Sequence, residues 1–162
     1  MAAQKFEKNI QLGLLDRLID HDPGTSVDPS MSRAESLRRF RAAVTRDLES
    51  LLNSTRSQVE LPETHKELEK SLLSYGLPDI SSMSIENTRD QKRLLRSLES
   101  SIEMFEPRLA RVRVTTNDRV KKGEQTITFH VEAILLIDPA PERISFDTVL
   151  EISKGAYSVK EA

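Results

Sequence analysis

The sequence predicts an α+β domain. Three core helices pack on one face of a small, mainly antiparallel sheet of three to four strands, with an amphipathic helix ahead of them. Three observations lead there. Apolar residues recur at steps of three and four as far as Phe105. From Leu109 the step becomes two, and β-branched and aromatic residues are enriched. Pro107 stands between the two regimes, and a proline cannot continue a helix. All helical segments precede all strands, so the strands follow one another as a meander.

The chain has 162 residues, which suits one domain. With 37% hydrophobic and 31% charged residues it is charged but foldable. A net charge of -2 gives no reason to expect nucleic acid or an anionic membrane surface as partner. Cysteine is absent, which excludes a disulfide framework and a thiolate metal site. His21, His65 and His130 share no ligand spacing, and the five glycines are isolated. No metal, cofactor or phosphate loop is therefore expected. The first twenty residues carry charges throughout and do not read as a secretory leader. No apolar run is long enough to span a bilayer, so the expectation is a soluble, cytoplasmic protein.

Each element has its own signal. Over residues 5–20, Phe6, Ile10, Leu14 and Leu18 are spaced by four, with Leu15 and Ile19 beside them. That stripe ends at Asp20-His21-Asp22-Pro23-Gly24, a breaker cluster. Residues 1–31 thus read as a docking helix and a polar linker, and 32–162 as the domain proper. Such a short helix is marginal alone in water. It either folds back on its own core or docks on another protein.

The next helix opens at Ser32 or Ser30, with Glu35 placed for a capping box. Its stripe is Leu37, Phe40, Val44, Leu48 and Leu51, and Arg38, Arg39, Arg41 and Arg46 occupy the opposite face. A shorter helix over 63–75 is expected after Pro62, with Leu68, Leu72 and Tyr75 inward and Gly76 in the left-handed position behind it. A third helix is expected from about Ser84, its cap, to Phe105, with Leu95, Leu98, Ile102 and Phe105 inward.

In the strand half, residues 109–115 place Val112 and Val114 on one face and Arg111 and Arg113 on the other. Residues 125–137 align Ile127, Phe129, Val131, Leu135 and Ile137, and residues 144–152 align Ile144, Phe146, Leu150 and Ile152. Pro139 and Pro141 mark a turn between these two strands. Lys154-Gly155 turns the chain into a last short strand, 156–159.

Two features carry candidate function. Glu106, Pro107 and Arg108 form an oppositely charged pair on a corner that proline stiffens. As a surface ion pair it would contribute about 0–1 kcal/mol. As a rigid corner offered to a partner it would lose little entropy on docking, and an arginine fork suits carboxylates and carbonyls. The second feature is the basic first hairpin, with Arg111, Arg113, Arg119, Lys121 and Lys122. It reads as a solvated face that discourages edge pairing, or as an edge that accepts an acidic segment. His130 lies opposite the apolar face and reads as structural.

Four segments resemble one family. Leu14-Leu15-Asp16-Arg17-Leu18 is similar to the LLDRL opening of TssE proteins from bacterial type VI secretion systems. Arg46-Asp47-Leu48-Glu49-Ser50-Leu51-Leu52-Asn53 is similar to their RDLExLLN helix, with Ser54 as a one-residue departure before Thr55-Arg56. Tyr75-Gly76-Leu77-Pro78-Asp79 and Phe105-Glu106-Pro107-Arg108-Leu109 resemble their YGLPD and FEPRL segments. Together they cover nearly the whole chain, in the family's order. The resemblance implies a non-catalytic baseplate wedge subunit that joins TssF and TssG and lies close to the contractile sheath. It implies assembly contacts at Glu106, Pro107 and Arg108, and a second docking element at Leu14, Leu15, Asp16, Arg17 and Leu18. The edge of the last strand, 156–159, is where sheath subunits could add a strand.

Members of that family sometimes carry the label lysozyme-related, which makes peptidoglycan hydrolysis by Glu103 and Glu106 the alternative. Glycoside hydrolysis usually needs two carboxyl groups across a cleft, one with a raised pKa. Arg108 beside Glu106 works against that, and with no tryptophan and 4% aromatics the chain has few surfaces on which a sugar could stack.

Overall fold

The computed structural model describes residues 10, 13–19, 24, 31–58, 64–79, 87–116 and 126–162. Its helices are α1 (Leu14–Leu18), α2 (Arg33–Leu52) and α3 (Thr88–Phe105), with two short 3-10 turns, Lys66–Lys70 and Leu72–Ser74, between the last two. Strands β1 (Leu109–Thr115), β2 (Thr126–Leu135), β3 (Glu142–Glu151) and β4 (Ala156–Glu161) follow. They form one antiparallel sheet in the order β1-β2-β3-β4, the expected meander.

Helix α2 starts where its sequence says. The Ser32 hydroxyl accepts the Glu35 N–H at 3.3 Å. Its buried stripe is Phe40, Ala43, Val44, Leu48, Leu51 and Leu52, while Leu37 is only half-buried. The expected arginine face is not simply solvated: Arg41 reaches Glu142 at 2.7 Å and Glu161 at 2.9 Å, tying the helix to β3 and β4. Helix α3 opens later than expected. Asn87 is its cap and accepts the Arg89 N–H at 2.9 Å, and Ser84 lies outside the described residues. Leu94, Leu98 and Ile102 are its buried positions; Leu95 and Phe105 pack at the margin.

The helix expected over 63–75 is replaced by the two 3-10 turns. The reason is local. The hydroxyls of Ser71 and Ser74 both donate to the Leu68 carbonyl, at 2.7 and 3.3 Å, in competition with a helical ladder. Ser71 is extended between the turns. Leu72 consequently points out, 86% exposed, rather than inward as its spacing suggested. Gly76 has φ +100, the left-handed conformation expected.

Helices α2 and α3 cover one face of the sheet. The core between the layers holds Val44, Leu48, Leu98, Ile102, Leu135, Phe146 and Leu150, all at 1% exposure or less. Alternation in β2 and β3 follows the expected faces, with Ala133 and Thr148 also buried. Ile137 and Ile152 lie just beyond the strand ends, packed against the core. β1 departs from simple alternation. Between Ala110 and Arg113 its register against β2 shifts by one residue, and Arg111 has φ +54. This bulge lets Leu109 and Val112 both face the core while Arg111 and Arg113 stay exposed. Arg119, Lys121 and Lys122 lie outside the described residues.

Both outer strands meet helix side chains. On β1 the Val114 N–H donates to Glu99 at 2.9 Å. On β4 the Tyr157 N–H donates to the Asn53 side chain at 2.8 Å, and the Tyr157 carbonyl accepts from the same side chain at 2.8 Å. The Val159 N–H donates to Glu49 at 3.4 Å. β4 is thus longer than the expected 156–159, and its edge is not the bare one the sequence suggested.

Candidate functional site

The corner after α3 is built by its backbone first. The Glu106 N–H closes the last turn onto the Ile102 carbonyl at 2.9 Å, and the Leu109 N–H bonds back to the Glu106 carbonyl at 3.0 Å. Glu106 itself is 4% exposed. A carboxylate so buried must find donors. Arg108 supplies them: its Nε reaches Oε1 at 2.6 Å, its backbone N–H reaches the same oxygen at 3.2 Å, and its Nη2 bonds Oε2. The pair is therefore an internal brace, not the surface pair the sequence allowed. Of the three corner residues only Pro107 is exposed. The Arg108 guanidinium also lies 5.8 Å from the centre of the buried Phe40 ring.

The brace extends outward through charge. Arg108 Nη2 reaches Asp47 Oδ2 at 2.7 Å. Asp47 Oδ1 in turn holds Arg46, whose Nη1 reaches Asp16 on α1 at 2.8 Å. Glu106, Arg108, Asp47, Arg46 and Asp16 form one chain of alternating sign. Burial alone would push Asp47 up, but hydrogen bonds from Arg108 and then Arg46 outweigh it and hold its carboxyl below the ordinary aspartate range. The Glu106 carboxylate, with help from Asp47, keeps Arg108 firmly protonated.

Helix α1 is a single turn with no buried residue. Leu14, Leu15 and Leu18 are 73, 63 and 73% exposed, and Arg17 is exposed too. The amphipathic helix expected over 5–20 is thus described only as this turn; Ile10, ahead of it, is half-buried against the core. The turn lies next to the corner: Gly13 lines the same open hollow, about 410 Å³, as Asp47, Leu51, Tyr75, Phe105 and Pro107.

The four sequence segments that resemble one family meet at this end of the molecule. The Leu77 N–H donates to Ser54 O and the Arg56 N–H to Leu77 O, both at 2.8 Å, in a parallel bridge of Thr55 with Leu77. The Ser101 hydroxyl donates to the Gly76 carbonyl at 3.2 Å, and the Tyr75 ring meets Phe105 edge-on at 5.3 Å. Asp16 joins the first segment through Arg46. Sequence reasoning picked out the corner and the leucine turn separately. It missed Asp47 and Arg46, which connect them; their presence in a charged segment gave no sign of partners so far along the chain.

The geometry offers little to a two-carboxylate hydrolase. Both Glu106 oxygens are taken by Arg108, and Glu103 is exposed on α3 and does not line the hollow. His130 bonds Asp147 at 2.8 Å across the open face of the sheet. Among the described residues no cluster of three or more histidine, aspartate or glutamate side chains is placed to hold a metal ion. Among them, too, no helix is long and apolar enough to cross a membrane.

A family model described as baseplate wedge protein gp25 matches residues 38–140. No curated protein matches the chain, and no solved structure does. The match covers well over half of the sequence and takes in most of α2 and all of α3, β1, β2 and the corner, so the chain belongs to the baseplate wedge protein gp25 family.

Proposed function

We propose, with membership of the baseplate wedge family as the premise, that this chain is a non-catalytic structural subunit of a type VI secretion baseplate. In this reading residues 32–162 are the wedge domain and residues 1–31 a docking arm. The subunit joins TssF and TssG through Pro107, the braced pair Glu106 and Arg108, and the Leu14–Leu18 turn, and it lies next to the contractile sheath. It works in the cytoplasm and needs no cofactor.

The observation that carries this reading is the pairing of a stiff ionic corner with exposed leucines. Among the described residues the turn has no buried side chain, and the Asp16–Arg46 ion pair ties it to its own domain. Burying a leucine against a partner would contribute roughly 1.5–3 kcal/mol each. The ion chain fixes where those leucines stand relative to Pro107, so a partner meets one composite surface. Tyr75, Phe105 and the exposed Met104, Leu72 and Leu73 extend its apolar character.

Co-expression with TssF and TssG tests this. The triple variant Leu14→Ser, Leu15→Ser, Leu18→Ser alters only exposed side chains, so it should fold as the parent does. Tagged parent should retain both partners, and the variant should lose them. Retention at the parent level would overturn the assignment of the turn, and failure of the parent to retain either protein would overturn the wedge reading itself.

A further inference from the structure

The charges on the outer face of α3 are placed against the helix's own stability. Arg89, Lys92, Arg93 and Arg96 are all exposed, and steps of three, one and three set them in one row, opposite the buried Leu94, Leu98 and Ile102. Neighbours in the row, three or four residues apart, carry like charge, which destabilises a helix. Arg89 stands in the first turn, where the positive end of the helix dipole repels a cation. The last turn, which would favour one, has no basic residue. Nor does the domain answer these charges: among the described residues none of the four side chains has an ion pair or a hydrogen-bond partner. Glu99, three residues beyond Arg96, is turned to β1 and accepts the Val114 N–H. Asp90, the acid of the first turn, is half-buried on the flank of the helix and outside the row.

We propose that this row is a docking face for an acidic helix of a protein partner. Charge complementarity gives the sign, since four cations without a counter-charge stand within seven residue steps, roughly 10 Å of helix. Spacing gives the form. A second helix lying alongside, with carboxylates at i, i+3, i+4 and i+7, presents the same row in return, as flanking charges do between paired helices. Duplex nucleic acid and an anionic bilayer fit less well. A short segment meets the row alone, whereas an extended polyanion meets the whole chain, whose net charge is -2. The exposed residues of α3 from Arg89 to Glu103 also include no aromatic to stack on a base and no apolar side chain to enter a membrane. The row lies toward the end of α3 away from the Glu106–Arg108 corner, so it is independent of what that corner binds.

Fluorescence anisotropy and amide shift mapping on the full chain test it. The probe is a labelled alanine-based peptide of about twenty residues, long enough to be helical in water, with glutamates at i, i+3, i+4 and i+7. At low salt it should bind, shift the amides around Arg89–Arg96, and bind severalfold tighter than a peptide of the same composition with its glutamates spread around the helix. Lys92→Glu combined with Arg93→Glu should weaken binding at least about tenfold. Arg38→Glu, at an exposed arginine of α2 that also has no partner among the described residues, should leave it unchanged. The double variant turns every like-charge pair in the row into an opposite one, so its melting temperature should rise, and lost binding is then not lost fold. A probe that fails to bind, or binds no better than the rearranged peptide, would overturn the helical docking face. A DNA duplex or phosphatidylserine vesicles bound more tightly than the probe would overturn the acidic helix as occupant. A lower melting temperature in the double variant would mean that the row serves the fold, and would overturn the proposal at its root.

Discussion

Arg108→Ala removes the one cation that, among the described residues, contacts a carboxylate that is almost wholly buried. In the native protein Glu106 takes hydrogen bonds from the Arg108 side chain on both oxygens and from its backbone N–H on one. Only the backbone bond survives the substitution. Breaking a buried pair from one side typically costs about 3–5 kcal/mol, because the remaining charge is left without compensation. The lower end applies here. The Arg108 side chain is 22% exposed, so water can enter beside Glu106, and Asp47 keeps Arg46. A loss of about 3 kcal/mol lowers the melting temperature of a domain this size by roughly 6–12 °C. The variant should nevertheless remain folded at room temperature, since domains commonly have about 5–15 kcal/mol in reserve. Urea unfolding followed by circular dichroism measures it. The decisive comparison is Glu106→Gln in both backgrounds. With the buried charge already gone, Arg108→Ala should cost at least about 1.5 kcal/mol less than it does alone. A single-variant cost below about 1 kcal/mol, or strict additivity, would refute the internal brace. Any assembly defect of Arg108→Ala must therefore be read after its loss of stability, which is why the exposed leucines are the better probe of partner binding.

Three further outcomes follow from single positions. Gly76→Ala should destabilise by about 2–3 kcal/mol or more: the residue has φ +100, and an added Cβ would lie 2.3 Å from the Ser54 carbonyl oxygen, which thermal unfolding would register. Thr148→Val should stabilise by about 1 kcal/mol in the same assay, because the buried Thr148 hydroxyl has no hydrogen-bond partner among the described residues. Burial raises the Tyr157 phenol to about 12. Its unfolded counterpart ionises near 10, so the unfolded state sheds its proton first. Stability is intact below pH 10 and falls by roughly 2–3 kcal/mol as pH rises to 12; Tyr157→Phe should lack that part of the fall, read as the difference between the two pH profiles.

The strands and α2 were legible because their burial is periodic and local. Ile127, Phe129, Val131 and Leu135 face the core for the same reason that they alternate, and Ser32 caps α2 where the apolar stripe begins. The 63–75 segment misleads because Leu68 and Leu72 have helical spacing, whereas serine hydroxyls, which no periodicity registers, redirect the backbone. In α3 Leu94 and Leu95 both stand at helical spacing from Leu98, four and three residues away, so spacing alone does not tell which of them is buried and which packs at the margin. The corner was visible as a motif but not as a buried brace. Glu106 is polar, and the Arg108 that holds it is itself placed against Phe40 and Asp47 of α2, some sixty residues earlier in the chain. The same holds for Glu49 and Asn53, whose partners are backbone groups on the last strand and leave no trace in side-chain pattern.

The extra residue in β1 acts as an indexing step for the Glu106–Arg108 corner. Because Arg111 inserts half a pleat, the segment from Leu109 back to Pro107 is rotated relative to the strand beyond it. Were the bulge flattened with every residue kept, strict alternation back from Val112 would turn Leu109 toward water and swing the proline apex to the other side. The direction in which the proline corner points is thus set by a rung of the sheet beside it, and one further residue inserted there would re-aim the corner on an otherwise intact domain.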